Sequence, residues 1–131
     1  MPATGLMIIT NKLDFSIHII DYFQSMNPLN AFNLSLIPIG LDQNESKTDL
    51  INEINKNLEK DPKLKMVIIF SDLGSPREIA KQIKSDNPDL KIICSNGNLI
   101  ENSFLTYILL NTKAPFETIK EVVDKNIRGL I

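Results

Sequence analysis

Two hydrophobic patterns take turns along this chain. Short unbroken apolar runs alternate with longer stretches in which apolar residues recur every three or four positions. Gly5-Leu6-Met7-Ile8-Ile9-Thr10 is a run that stops at polar Asn11-Lys12, and it predicts a first strand. From Leu13 to Met26 the residues Ile19, Ile20, Phe23 and Met26 keep helical spacing until Asn27-Pro28 ends it, which predicts a first helix. Asn33-Leu34-Ser35-Leu36-Ile37-Pro38-Ile39 alternates in part and carries a proline, so it suits an edge strand. After a loop from Gly40 to Glu45, Ser46 and Asp49 form an acidic capping box ahead of Leu50, Ile51, Ile54 and Leu58. Asp61-Pro62 ends that second helix. Met66-Val67-Ile68-Ile69-Phe70 has the length and β-branching of a strand covered on both faces. Ser75 then reads as a helix N-cap, with Pro76 at the first helical position and Glu78 closing a capping box. Asn87-Pro88 ends the third helix, Leu90 to Cys94 is a fourth strand, and Ser95-Asn96-Gly97-Asn98 is a polar loop.

Two helical patterns remain. The stretch Leu99 to Asn111 carries Leu99, Ile100, Phe104, Leu105, Tyr107, Ile108, Leu109 and Leu110, more apolar surface than one face needs. Either it is wedged into the domain's own core or a second copy covers it. A homodimer contact through this helix is the expectation, with Tyr107 and Leu110 as the residues to test. The last helix places Phe116, Ile119, Val122, Val123 and Ile127 on one side, facing the sheet.

Strands alternating with helices require a mainly parallel sheet with helices on both faces and right-handed crossovers. The expected architecture is one three-layer α/β domain spanning residues 1–131, its four-stranded sheet in the order 2-1-3-4. That order places a switch point between the first and third strands, and ligands in such sheets bind beyond the carboxyl ends of the strands there. The loops Thr10-Asn11-Lys12 and Ser71-Asp72-Leu73-Gly74-Ser75 meet at that point, with Ser95 to Asn98 beside them. The third-helix start leaves backbone N–H groups unpaired and carries the positive end of the helix dipole, so an anion fits beside Gly74 and Ser75. Topology and capping thus single out one region, whose candidate anion-binding residues are Thr10, Asn11, Asp72, Gly74 and Ser75. An ordinary βα turn in which Asp72 and Ser75 bond backbone is the plain alternative.

Composition narrows the chemistry. With 131 residues, 43% of them hydrophobic, and a formal charge of −2, the chain suits a single core and lacks a broad positive field, so no nucleic-acid partner is expected. Its apolar runs are far shorter than a membrane span and Met1-Pro2-Ala3-Thr4 begins no signal peptide, which points to a soluble cytoplasmic protein. Cys94 is the only cysteine and His18 the only histidine, so neither an internal disulfide nor a clustered metal site is expected, and Cys94 reads as a buried structural thiol. No Gly-x-Gly-x-x-Gly fingerprint and no Walker-type loop occurs. A response-regulator receiver would also carry an aspartate at the position of Asp72, but it needs an acidic pair for Mg²⁺ where this chain has Thr10-Asn11.

Val67-Ile68-Ile69-Phe70-Ser71-Asp72-Leu73-Gly74-Ser75-Pro76 resembles the third strand and loop of the mannose-type enzyme IIA proteins of the bacterial phosphotransferase system. Asp-Leu-Gly-Ser is most similar to the phosphotransferase subunit of the PTS-dependent dihydroxyacetone kinase. The resemblance runs almost the full length, including the loop with Gly97 and Glu101 and the apolar fourth helix. It implies a phosphocarrier in sugar or dihydroxyacetone phosphorylation that needs no cofactor. Its partners would be the carrier HPr or a dihydroxyacetone kinase-type subunit. In that family a histidine after the first strand takes the phosphoryl group, the third-strand aspartate fixes its tautomer, and loop N–H groups with a serine hydroxyl hold the phosphate. The resemblance carries these last roles to Asp72, Gly74 and Ser75.

The histidine itself is missing. In this register Asn11 stands in its place, and an amide has no basic ring nitrogen to form a phosphoramidate. His18 lies about 10 Å further along the first helix. The expectation is a degenerate member with no catalytic residue, Asn11 Nδ2 donating to Asp72 in place of the imidazole. A regulatory relative and a small-anion binder of the same fold are the alternatives, the latter drawing on Lys12.

Overall fold

β1 (Thr4–Thr10) is buried along its whole length, and its residues are shared between two cores. Leu6 and Ile8 enter one, Met7 and Ile9 the other. That alternation requires layers on both sides of the strand and places β1 inside the sheet. β2 (Leu34–Gly40) and β3 (Met66–Ser71) pair with it on either side, and β4 (Lys91–Cys94) pairs with β3. All pairings are parallel, the order is β2-β1-β3-β4, and the chain forms the single α/β domain that the hydrophobic pattern predicts. The structure is a computed structural model and describes residues 3–74 and 76–124. Pro38 lies opposite Ile8 on the edge strand β2, where a missing N–H is tolerated.

Three helices, α1 (Leu13–Met26), α4 (Glu101–Asn111) and α5 (Phe116–Asp124), cover one face. Ile19, Ile20 and Phe23 of α1 meet Tyr107 and Leu110 of α4 and Ile119 and Val123 of α5 over Leu6, Ile8, Ile68 and Phe70. The other face carries α2 (Lys47–Glu59) and α3 (Pro76–Asp86), whose Leu50, Ile54, Ile79 and Ile83 pack on Met7, Ile9, Val67 and Ile69. The capping box that opens α2 is formed in full: Ser46 Oγ accepts from the Asp49 N–H and the Asp49 carboxylate accepts from the Ser46 N–H. Those bonds hold the Asp49 carboxyl below the usual carboxylate range.

Some local expectations are revised. Met26 does not join the core; it is 61% exposed in the last turn of α1. α4 starts at Glu101 rather than Leu99 because Asn98 Oδ1 accepts from the N–H groups of Ile100 and Glu101, capping the helix from two residues further back. Glu78 reaches Lys47 at 3.0 Å, tying the start of α3 to that of α2. Ser75, its expected capping partner, and Ile127 of the last helical pattern lie outside the described residues. His18 is exposed on α1, as a surface helix histidine, and Cys94 is half-buried against the α2–α3 core.

The largest revision concerns α4. Its inward face is mostly polar, with Asn102, Ser103, Thr106 and Asn111 buried beside Tyr107 and Leu110. Tyr107 and Leu110, expected on a subunit contact, are 0% and 3% exposed within the chain's own core. The excess apolar surface is consumed on the flanks, where Phe104 packs 5.2 Å from the Phe23 ring and 6.3 Å from Tyr22. A helix wedged between α1 and α5 needs apolar residues on more than one side, which explains the pattern without a second copy.

Candidate functional site

The carboxyl ends of β1, β3 and β4 bring three loops to one end of the sheet. Ile9 lies opposite Ser71, and the Asp72 N–H donates to Ile9 O at 3.3 Å, extending the β1–β3 ladder by one residue. The register thus carries Asp72 level with Thr10, and Asn11 follows one residue further along. On the other flank the Ser95 N–H donates to Ile69 O at 2.9 Å and brings the β4 loop level with them.

The first loop is held from below. Thr10 is fully buried; its Oγ1 lies 2.7 Å from Lys12 O and 2.8 Å from Ser16 Oγ, which in turn donates to Ile39 O at 2.7 Å. Three contacts share two hydroxyl protons; with that of Ser16 on Ile39 O, the Thr10 proton goes to Lys12 O or to Ser16 Oγ, so Thr10 shapes the turn and has none left for an incoming ligand. Gly40, paired with Thr10, lets the chain close here: a Cβ on it would lie 2.1 Å from Leu13 N and 2.4 Å from Leu13 Cα. Ser16 was invisible as a site residue because a serine within a helical pattern reads as a solvated position; only its burial reveals the clamp.

Asn11 and Lys12 point to solvent above that clamp. No hydrogen bond joins Asn11 to Asp72, so the expected amide-for-imidazole contact is not made in this structure. In the second loop, Leu73 N–H donates to Ser71 Oγ at 3.0 Å. Gly74 has nothing within 4 Å of where a Cβ would sit and does not take a positive φ. Neither crowding nor a left-handed backbone calls for glycine there; what it leaves is unobstructed main chain at the start of α3. In the third loop, Asn102 Oδ1 accepts from the Asn98 N–H at 2.9 Å, the Gly97 N–H donates to Ser95 Oγ at 2.8 Å, and Ser95 Oγ donates to Val123 O. A Cβ on Gly97 would lie 2.6 Å from Asn102 Cγ and 2.7 Å from Val123 O, so only glycine fits. Arg77, in the first turn of α3, donates from Nε to Asn96 Oδ1 at 3.2 Å and so fixes a cation at the rim. Its role needed the β4 loop in place and had no signal in the sequence.

The Asp72 carboxyl sits above the usual carboxylate range, chiefly because it is partly desolvated, with its own backbone N–H opposing the shift. A raised folded-state value means that the ionised form is disfavoured by folding. The penalty is present above the folded value and disappears as pH falls through it. Asp72→Asn is therefore expected to raise the thermal midpoint slightly at pH 7, by a fraction of a kcal/mol after solvent screening, and by less at acid pH. A loss of stability at pH 7 would show that Asp72 serves the fold.

No protein-family model and no curated protein matches the chain. Solved structures do. The PTS IIA protein associated with the fucose utilization operon from Streptococcus pneumoniae is 15% identical over 99% of this chain and 98% of its own, with a TM-score of 0.64. The phosphotransferase system component EIIA from Streptococcus agalactiae is also 15% identical, over 92% and 89%, with a TM-score of 0.60. A sigma-54 interaction domain protein from Enterococcus faecalis is 8% identical over 93% and 88%, with a TM-score of 0.71. At such identities the likeness speaks for the backbone alone, and what it establishes is that this chain has the fold of the phosphotransferase-system EIIA proteins.

Proposed function

We propose that this protein is a degenerate enzyme IIA-like component of a phosphotransferase system, unable to form phosphohistidine. The observation that carries the reading is Asn11, exposed just past the carboxyl end of β1, where the resemblance calls for the acceptor histidine, with Asp72 just past the end of the neighbouring strand β3. Formation of a phosphoramidate requires a basic nitrogen whose lone pair is free at neutral pH, and in the asparagine amide that pair is delocalised into the carbonyl. His18 is exposed on the body of α1, away from the loops. What remains can orient a group rather than accept one: the Asp72 carboxylate, the open main chain at Gly74, and Lys12 and Arg77 at the rim. Thr10 serves by holding the loop.

On this reading the protein docks with the phosphocarrier HPr or with a dihydroxyacetone kinase-type subunit in the cytoplasm and regulates rather than relays. Incubated with enzyme I, HPr and labelled phosphoenolpyruvate, the unmodified protein is expected to take up no label; acid-labile label on it would overturn the reading. The rim cations Lys12 and Arg77 favour a second reading, a small-anion binder of the same fold. Titration with inorganic phosphate separates the two, since an anion binder would respond at submillimolar concentration without any carrier. A homodimer is a separate proposal, no longer resting on the buried Tyr107 and Leu110 but on Tyr22 and Ile100, which are 56% and 42% exposed on the outer side of α1 and at the start of α4. Sedimentation equilibrium is expected to give twice the chain mass, and a monomer at high concentration would remove the dimer.

A further inference from the structure

At the opposite end of the sheet from the loops just described, the starts of β1 and β2 and the turn after α4 enclose a cleft of about 550 Å³. That is the size of a small-molecule site, and its lining combines apolar side chains with the polar groups of Thr4, Asn33 and Lys113. Phe32, Leu34, Leu110, Pro115 and Phe116 form its walls, and Lys113 is the only charged residue among the described residues lining it. Lys113 makes no ion pair among the described residues. Its Nζ lies 5.9 Å from the centre of the Phe32 ring, and Lys91 sits 4.5 Å over the ring of Phe116, so two cations flank the aromatic walls.

The cleft is also built with care. Phe32 is 88% exposed, yet the backbone just before it is clamped: Asn111 Oδ1 accepts from the N–H groups of Asn30 and Ala31 at 2.9 and 3.1 Å, and Asn111 Nδ2 donates to Pro28 O at 2.9 Å. An aromatic side chain is thus held out to water by a rigid loop. Across from it, the turn after α4 is a Schellman motif, with Lys113 N–H on Leu110 O and Ala114 N–H on Leu109 O. Lys113 takes the left-handed position with φ of 59°, where glycine or asparagine is the ordinary choice. Strain is carried there by the residue that brings the cleft its charge.

We propose that this cleft binds a small carboxylate with an apolar body, the carboxylate on Lys113 and the body between Phe32 and Phe116. The charge complementarity is one-sided, an unpaired cation over apolar walls with no acidic residue among them. The site is independent of the proposed phosphotransfer ancestry, since none of its residues belongs to the loops at the other end of the sheet.

Phenylbutyrate and its uncharged amide, phenylbutanamide, are the probes, titrated into the full-length protein with backbone amide NMR shifts as readout. Phenylbutyrate is expected to shift the resonances of Phe32, Leu110 and Phe116 with saturation in the millimolar range or below, and the amide to bind about tenfold more weakly. Lys113→Met should lose that preference and Lys113→Arg should keep it, both variants being checked for an unchanged amide spectrum elsewhere. Equal binding of acid and amide would overturn the proposal. So would an absence of shifts at Phe32 and Phe116, as expected if a chain end or a second copy already fills the cleft, and so would shifts confined to the loops around Asn11 and Gly74.

Discussion

Gly40→Ala is expected to destabilise the protein by roughly 3 kcal/mol, at the upper end of what overpacking costs. The added carbon would fall 2.1 Å from Leu13 N and 2.4 Å from Leu13 Cα. Both are backbone atoms, so no side chain can swing aside to make room. Relief has to come from moving the first turn of α1 away from the end of β2. That displacement would also break the Ser16 Oγ bond to Ile39 O and, through Ser16, disturb Thr10 and the loop carrying Asn11. Urea unfolding followed by circular dichroism measures the loss as a lowered midpoint with an unchanged slope. A change under 1 kcal/mol would mean that β2 and α1 are further apart than described.

Asn111→Ala carries the second large effect, about 3 kcal/mol. Its side chain satisfies the N–H groups of Asn30 and Ala31 and the carbonyl of Pro28, all at the α1–β2 connection, and the residue is 2% exposed. Truncation leaves those backbone groups without their partner; Pro28 and Asn30 are exposed and can turn to water, whereas the Ala31 N–H is buried and an unpaired group there costs on the order of 1–3 kcal/mol, to which the lost packing of Asn111 adds. Tyr107, whose hydroxyl donates to Asn27 O, would still hold one end of the connection. The expected signature is therefore a global loss of stability together with faster amide exchange at Asn30 and Ala31. Asn111→Asp keeps an acceptor for both N–H groups but loses the donor, and should fall between. An Asn111→Ala variant as stable as the original would contradict the role assigned to α4.

That role marks the boundary of what could be read from the sequence. The strands were legible because β1 and β3 are short runs buried on both faces, and Pro38 placed β2 at the edge. Capping chemistry is local, so Ser46 and Asp49 could be paired from their spacing alone. α4 misled because its apolar count says nothing about direction. Its buried stripe holds Asn102, Ser103, Thr106 and Asn111 beside Tyr107 and Leu110; Asn102 and Asn111 bond backbone that arrives from elsewhere, Ser103 bonds its own helix and Thr106 Oγ1 has no partner among the described residues, so which way α4 faces is a tertiary fact. The candidate site divides in the same way. Its location follows from strand order, and Asn11, Asp72 and Gly74 emerge where topology places them. The Thr10–Ser16 clamp and the Arg77–Asn96 link join segments distant in the chain or hidden inside a helix pattern, and neither has a local signature. Lys113 is a similar case, since nothing in Asn111-Thr112-Lys113-Ala114-Pro115 announces that the lysine takes the left-handed position.

The central claim, that the loops keep the shape of a phosphotransfer site and have lost only its acceptor, is tested most directly by Asn11→His. The variant and the unmodified protein are incubated side by side with enzyme I, HPr and labelled phosphoenolpyruvate. Acid-labile label is expected on Asn11→His alone, Asp72 just past the end of the neighbouring strand being the group proposed to orient the new imidazole. Label on the unmodified protein would contradict the assignment of Asn11, and label on neither would show that the docking surface or the pocket no longer has the shape required.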